Sequence, residues 1–363
     1  MFSRKSFWLT IKIYALILTG VVLIATSSNI WAQFKYDDAA YFVKRQLLFA
    51  LLGTIVMKWT SSISIQTIKK NHRMLLICCF IALLLVLVPG IGVARNGSRS
   101  WFGVGSFLIQ PSEFFKLSCI FTTAFLIEKK TSVKRLSDVI GLLVVPALGF
   151  LLILLQPDFG SGLVMVCSIV VMILAAGAPM KYFMACGCLG VLGIVFLIAA
   201  APYRMQRILS FLDPWSDPLG SGFQIIQSYY AIAPGGLLGA GLNRSMQKHF
   251  YLPEPQTDFI FAIACEELGW IGALCILILF ILILSDCVTI ALRCKDTFSS
   301  FVVVGITALF MIQVLINLGV VVGLFPVTGI TLPFLSYGGS SLVMLMGSFG
   351  LIIGINQQDS DVK

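Results

Sequence analysis

Long apolar runs recur along the chain and are separated by short polar segments. A helix of about 20 apolar residues crosses a bilayer, and only helices or closed barrels satisfy their backbone hydrogen bonds in lipid. Because the runs are continuous and do not alternate with a period of two, they predict helices. The ten predicted spans are 10–30, 46–62, 74–92, 111–127, 139–156, 160–178, 182–201, 259–286, 299–323 and 337–355. The sequence therefore predicts an all-α, polytopic integral membrane protein.

Composition and charge support this class and give the spans an orientation. Hydrophobic residues make up 58% of the chain, charged residues 11%, and the mean hydropathy is +0.99, far from the averages of soluble proteins. The net charge of +9 is therefore interpreted through topology and not through nucleic-acid binding. With the amino terminus inside, fifteen basic residues fall on the cytoplasmic side and only five in short outer loops, as the positive-inside rule requires. Both termini are predicted to be cytoplasmic.

One long polar segment, 202–258, interrupts the spans and is predicted to be extracellular. The whole chain, 1–363, is predicted to be a single transmembrane domain that contains this loop. Prolines and a dense set of glycines exclude one continuous helix in it, and only a short helix is expected before Pro234. Its apolar stretches indicate either a surface segment or a re-entrant one.

Charged side chains at the outer membrane boundary are candidates for function, because such groups are costly there. Asp258 stands where the long loop returns to a hydrophobic segment, in YLPEPQTDFIFA. Glu113 and Lys116 are three residues apart and share a helix face, so they form either a functional pair or a structural ion pair. Asp158, in QPDFGSG, either acts in the site or caps the following helix.

These residues, with Arg95 and Arg99 in the preceding outer loop, predict an outward-facing cavity that contains acids and bases. Cations in such a cavity suit a phosphate-bearing amphiphile, and a carboxylate there suits proton abstraction or metal binding. Two classes of protein fit this description. One is a transferase that acts on a lipid-linked substrate, and the other is a transporter of an anionic lipid or solute.

Six strings in this order resemble the SEDS family of shape, elongation, division and sporulation proteins, most closely its FtsW and SpoVE branch. The strings are RNGSRSWFGVG, IQPSEFFKL, QPDFGSG, DPWSDPLGSGFQIIQS, YLPEPQTDFIFA and PVTGITLPFLSYGGSS, within residues 44–354. The resemblance implies the SEDS-type fold and a peptidoglycan glycosyltransferase that polymerises lipid II on the outer face of the bacterial cytoplasmic membrane. It also implies a partner, a single-pass class B penicillin-binding protein. The short tails favour a sporulation-type member over one that serves elongation or division.

The resemblance assigns a role to each candidate residue. Asp258 matches the family's essential acid and is predicted to be the catalytic base of an inverting transfer that releases undecaprenyl diphosphate. Arg99, Glu113, Lys116 and Asp158 match residues that bind the substrate or its diphosphate, or that support the site. Asp258 as a ligand of Mg²⁺ or Mn²⁺ is the alternative. The position of Asp258 at a loop end predicts no particular pKa.

Two other functions compete with the enzyme. A lipid II flippase would need polar residues through the whole membrane depth, but the inner halves of the spans are apolar apart from Asp286. A scaffold that only recruits a penicillin-binding protein would need no outer cluster of acids. The sequence therefore favours the glycosyltransferase.

Overall fold

The computed structural model describes residues 4–95, 97–104, 107–130, 132–184, 187, 211–220 and 222–361, and these residues are mostly helical. The longer helices are α1 (Arg4–Tyr36), α2 (Tyr41–Ser61), α3 (Ile65–Leu85), α4 (Pro111–Glu128), α5 (Leu136–Leu154), α6 (Phe159–Ala175), α7 (Phe223–Ile232), α8 (Ile260–Arg293), α9 (Thr297–Val321) and α10 (Gly339–Asp361). Two single turns of 3₁₀-helix, Pro214–Ser216 and Ala233–Gly235, flank α7.

Several helices can cross a membrane, which confirms a multi-pass helical protein. Within the described residues, α1, α5, α8, α9 and α10 are each long and apolar enough to do so. Helices α2 and α3 qualify as a pair bent by 111°, which brings the number to six if the pair is one span. The count of ten spans stays a prediction. The seventh predicted span, 182–201, lies almost entirely outside the described residues.

Several helix boundaries differ from the predicted spans, and at two of them ion pairs accommodate charges in the helices. Helix α3 runs over Ile65–Leu85, where the sequence predicts 74–92, and its early Lys69 Nζ lies 2.5 Å from Glu128 Oε1 of α4. Helix α8 continues past the predicted end at 286. Asp286 does not end it, since the Asp286 carboxylate is paired with Lys12 of α1 at 2.5 Å.

A small antiparallel sheet departs from the all-α prediction. Strands β1 (Val93–Arg95), β2 (Ser98–Val104) and β3 (Phe107–Ile109) lie in the order β1-β2-β3. Only residues 96 and 97 connect β1 to β2, and Gly97 has φ +81°, as two-residue hairpin loops require. The sheet occupies the segment in which the sequence predicts the end of the third span and an outer loop.

Helix α9 is the central packing element and contacts α4, α6 and α8. Gly305 allows this close approach, because a Cβ at that position would lie 2.5 Å from Ile120 of α4 and 2.6 Å from Met172 of α6. Small residues serve this purpose at helix interfaces in membranes. The carboxyl-terminal end of α9 thereby lies beside the starts of α4, α6 and α8.

The glycine-rich part of the long loop fills a break in α8. Gly269, inside α8, has φ +66° and ψ −167°, which interrupts the helical hydrogen bonds. Four backbone hydrogen bonds between the loop and α8 replace them. The loop amides of Ala240 and Gly241 donate to the carbonyls of Glu266 (2.8 Å) and Glu267 (3.0 Å), and the α8 amides of Trp270 and Ile271 donate to the carbonyls of Gly236 (2.9 Å) and Leu237 (3.2 Å). Because these groups are paired, the break is tolerable near the bilayer. The short helix α7 ends before Pro234, as the sequence predicts.

Candidate functional site

A cavity of about 860 Å³ lies between the sheet, the starts of several helices and the long loop. Four of the residues predicted from the sequence line it, namely Glu113, Lys116, Asp158 and Asp258. They come from three separate segments of the chain, as the sequence predicts for acids and bases gathered at one place. The cavity is large enough for a sizeable polar ligand.

Helix N-termini border much of this cavity. Residues at the starts of α4, α6 and α10 line it, and so do Thr257 and Asp258, which directly precede α8. The free N–H groups and the dipole of a helix make its N-terminus favourable for anions. Gly338–Ser341, at the start of α10, are part of this border. The cavity therefore suits a ligand that carries negative charge.

Lys116 and Glu113 form an ion pair on the cavity wall. Lys116 Nζ lies 2.7 Å from Glu113 Oε1, and the two side chains retain 2% and 11% of their exposure. Pro111 begins α4 and places both residues in its first turns, on one face. A buried ammonium needs such a partner. The ion pair accounts for the burial of the ammonium group, and both side chains also line the cavity.

Asp158 caps helix α6 and lies on the cavity wall. Its Oδ1 accepts a hydrogen bond from the Ser161 amide at 3.2 Å, and its Oδ2 accepts one from Gln110 Nε2 at 2.7 Å. Burial raises the pKa of Asp158, although the hydrogen bonds from Ser161 oppose the shift. The capping interpretation is therefore confirmed. Gln110 was not singled out in the sequence, where an amide directly before a helix carries no distinctive pattern.

Asp258 lies half-buried on the cavity wall, two residues before α8 begins. Burial raises the pKa of Asp258 to about 6, and the negative charge of Glu254, which also lines the cavity, adds to the shift. The sequence predicts no such shift because it places Asp258 at an open loop end. In the structure the segment around Gly329 lies beside the carboxylate, and a Cβ at Gly329 would lie 3.9 Å from Asp258 Oδ2.

The structure does not bring Arg99 to the cavity with the other candidates. Arg99 is in β2, where successive side chains point to opposite faces of the sheet. Its neighbours Ser98 and Ser100 line the cavity. The Arg99 side chain lies near Gly92, since a Cβ added at Gly92 would be 3.0 Å from Arg99 Cγ. Both serine hydroxyls donate to the carbonyl of Gln156, at the end of α5. Trp101, two residues further along β2, also lines the cavity, so the alternation of the strand does not by itself account for the position of Arg99.

The carboxylates that could bind a metal are few. Among the described residues, no group of three or more His, Cys, Asp and Glu side chains is close enough to hold a metal ion. Asp258 and Glu254 both line the cavity. Mg²⁺ in proteins is often bound by only one or two carboxylates together with phosphate oxygens of the substrate. Such a donor set fits these two residues.

Comparison with known sequences gives one family over nearly the whole chain. A family model described as "Cell cycle protein" (FtsW, RodA, SpoVE) matches residues 7–361. The chain is 52% identical over 356 residues to stage V sporulation protein E of Bacillus subtilis, with 96% of each chain covered. It is 40% identical over 350 residues to a probable peptidoglycan glycosyltransferase FtsW of Trichlorobacter lovleyi, with 96% of this chain and 92% of the relative covered.

Solved structures share the fold over the same length. One similar chain comes from a peptidoglycan synthase complex that coordinates polymerization and crosslinking, with a TM-score of 0.78, 30% identity and 99% of this chain and 98% of that chain covered. Another is the rod shape determining protein RodA of Thermus thermophilus, with a TM-score of 0.71, 25% identity and 99% and 97% covered.

Proposed function

Since the chain belongs to the FtsW, RodA and SpoVE family of cell cycle proteins, we propose that it is a peptidoglycan glycosyltransferase with Asp258 as its catalytic base. Relatives named as probable peptidoglycan glycosyltransferases support the activity. One observation carries the assignment of the site. Asp258, with its pKa raised to about 6, lies in the same cavity as Lys116 and several helix N-termini. The cavity thus combines a base with an anion site.

The reaction joins two molecules of lipid II through a single displacement. The 4-hydroxyl oxygen of the acceptor GlcNAc attacks C1 of the donor MurNAc, while Asp258 takes the hydroxyl proton. The bond from C1 to the diphosphate oxygen breaks, and undecaprenyl diphosphate leaves with the electron pair. Attack from the opposite side converts the α-linked donor into a β-1,4 linkage. A base whose pKa is near 6 is ionised at neutral pH and still accepts a proton readily.

Negative charge grows on the diphosphate as it leaves, and fixed positive charge must stabilise it. Lys116 is the cation for this purpose on the cavity wall, held in place by Glu113. The N-termini of α6 and α10 add partial positive charge beside it. Asp158 supports the start of α6 through its capping hydrogen bond. Arg99, whose side chain faces away, contributes as a supporting residue of the sheet.

A divalent cation, Mg²⁺ or Mn²⁺, is the alternative use of Asp258. Asp258 and Glu254 would hold it together with diphosphate oxygens of the substrate, and the ion would neutralise charge on the leaving group.

The biological setting follows from the same family. We place ten spans in the bacterial cytoplasmic membrane, with both termini inside, the loop 202–258 outside and the active site on the outer face. Residues 1–363 then form one SEDS transmembrane domain. A single-pass class B penicillin-binding protein is the proposed partner, supported by the similar chain from a synthase complex. The similarity to stage V sporulation protein E favours spore cortex synthesis over the division septum or the elongating wall.

A lipid II flippase is less well supported than the polymerase. Asp286, the acid that the sequence places in the inner half of a span, is paired with Lys12 at 2.5 Å and so serves helix packing. A scaffold for a penicillin-binding protein would not require the cavity or its buried lysine.

The test uses the purified full-length chain, with and without a class B penicillin-binding protein, and lipid II in detergent with a divalent cation. Wild type should yield long glycan strands, and a folded Asp258→Ala variant should yield none. Asp213→Ala is the matched control, because Asp213 is an exposed acid of the same loop that does not line the cavity. Equal polymer from wild type and Asp258→Ala would contradict the assignment. Detergent removes the bilayer, so flipping alone gives no product.

A further inference from the structure

Three successive backbone carbonyl groups that lead to Asp258 are each bound by a donor from elsewhere in the chain. These hydrogen bonds run from Tyr337 N to Gln256 O (2.8 Å), from Ser336 Oγ to Thr257 O (2.6 Å) and from Asn317 Nδ2 to Asp258 O (2.7 Å). We call the three donors the carbonyl clamp. The clamp fixes the backbone directly before α8, where an irregular segment would otherwise be free to move.

Asn317 is the donor of this clamp that binds the carbonyl of Asp258 itself. It lies on α9, is 1% exposed, and also donates from Nδ2 to Ile330 O at 2.7 Å. Both amide hydrogens are thus used on two different segments. Gly329, next to Ile330 in the chain, lies beside the Asp258 carboxylate. One buried side chain therefore binds both the backbone of Asp258 and the segment beside its carboxylate.

Ser336 adds a second side-chain contact from another segment. It is 4% exposed, accepts a hydrogen bond from Leu332 N at 2.8 Å and donates its own to Thr257 O. Its hydroxyl thereby joins the turn before α10 to the residue preceding Asp258.

We propose that Asn317 and Ser336 are positioning residues that hold Asp258 in its catalytic place without touching the reacting atoms. This inference rests on the proposed function. An aspartate carboxylate is only two side-chain torsions away from the backbone, so a displacement of the backbone displaces the carboxylate. A displacement of about 1 Å in a catalytic group can cost about 100-fold in rate. The effect should therefore appear in kcat and not in substrate binding.

The clamp also controls the environment of the carboxylate. Burial raises the pKa of Asp258, and a loosened segment would admit water and return the pKa toward its ordinary value. In a variant without the clamp, the acid limb of the pH–rate profile should therefore move to lower pH. A residue that only stabilises the fold would lower the unfolding temperature without moving this limb.

The experiment measures lipid II polymerisation by the full-length chain for Asn317→Leu, Ser336→Ala and Ser336→Thr. Ser228→Ala is the control, because Ser228 is equally buried and donates at 2.7 Å to Val321 O, at the end of the same α9. We expect kcat to fall by about 10- to 100-fold in Asn317→Leu and Ser336→Ala with KM within about twofold. Ser336→Thr keeps the hydroxyl and should therefore retain much of the wild-type rate. The acid limb should shift in Asn317→Leu and Ser336→Ala but not in Ser228→Ala.

Other outcomes overturn the proposal in distinguishable ways. If Asp258→Ala is inactive while both clamp variants match Ser228→Ala in kcat and in the acid limb, the positioning role is wrong and the base assignment stands. If Asp258→Ala polymerises lipid II like wild type, the proposed function of Asp258 fails, and the positioning role fails with it. A rise in KM at unchanged kcat would make Asn317 and Ser336 substrate-binding residues instead. If Asn317→Leu does not fold, Ser336→Ala and its threonine rescue decide the matter.

Discussion

Lys116 donates to Glu113 at 2.7 Å from a side chain that is almost completely removed from solvent. This relationship allows structural and functional roles of the pair to be separated. Removing one partner of a buried ion pair leaves an unpaired charge and typically costs about 3–5 kcal/mol of stability. Replacing both with apolar or neutral groups of similar size is often tolerated.

We therefore expect Glu113→Gln and Lys116→Met to lower the unfolding temperature, and the double variant to regain most of it. Polymerisation should stay lost in the double variant, because the cation that stabilises the diphosphate is missing. Thermal unfolding in detergent and glycan-strand assays check both parts. Full activity of the stable double variant would restrict the pair to a structural role.

The pH–rate profile should report the ionisation of Asp258. A base must be deprotonated, so the rate at limiting substrate should fall below pH about 6, by about tenfold per pH unit. Glu254→Gln removes a nearby negative charge, which lowers the pKa of Asp258, so the acid limb should move to lower pH. Initial rates across this range measure the effect. A limb that stays in place in Glu254→Gln would show that another group limits the rate.

Stability should change in the opposite sense to activity when Asp258 is neutralised. Because burial raises the pKa of Asp258 above its ordinary value, the folded state is favoured when the group is protonated and loses stability as pH rises through about 6. Asp258→Asn should therefore unfold at a higher temperature than wild type at neutral pH, and the gap should shrink at pH about 5. A lower unfolding temperature at neutral pH would contradict the burial of a charged carboxylate.

Asp158 offers a test that separates its cap from its charge. Asparagine is as good an N-cap as aspartate, whereas alanine costs about 1 kcal/mol. Asp158→Asn should keep wild-type stability, and Asp158→Ala should lower it. If both variants lose polymerisation equally, the charge matters to the reaction. If Asp158→Asn is fully active, the cap is the whole role.

The break in α8 predicts a contrast between two glycines of the same loop. Gly239 and Gly236 both have positive φ, but only at Gly239 does a Cβ clash, at 2.2 Å from Glu267 O. Gly236→Ala should cost about 1–3 kcal/mol from backbone strain alone, because Gly236 has φ +54° and ψ −152°. Gly239→Ala should cost clearly more, because it displaces the loop from the break. Comparable unfolding temperatures for the two variants would contradict this docking.

The helical class, the gathering of charged groups and the family could all be predicted from the sequence. Apolar runs identify helices whatever their packing, and Glu113 and Lys116 had to share a face because helix periodicity is fixed. The motif strings identified the family, while the catalytic role that they assign to Asp258 stays a prediction. Each of these inferences depends on local pattern alone.

What the sequence did not predict depends on contacts between distant segments. The Asn-Gly pair at 96–97 is a hairpin pattern, but nothing local indicates that the Arg99 side chain would lie near Gly92 and not line the cavity. The carboxylate of Asp258 lies beside Gly329, which is about 70 residues further along the chain, and no local pattern indicates this contact. Asn317 was hidden within an apolar helix, where nothing local indicates its hydrogen bond to the Asp258 carbonyl.

The base role of Asp258 is tested most directly by the single-turnover rate of lipid II polymerisation in Asp258→Asn, with thermal unfolding as the check on folding. The amide keeps the size of the side chain and the hydrogen bond from Asn317 to the backbone, but it cannot accept the proton. We predict a folded variant with no detectable glycan strands at any pH or concentration of Mg²⁺ or Mn²⁺. Near-normal turnover in Asp258→Asn would contradict the account.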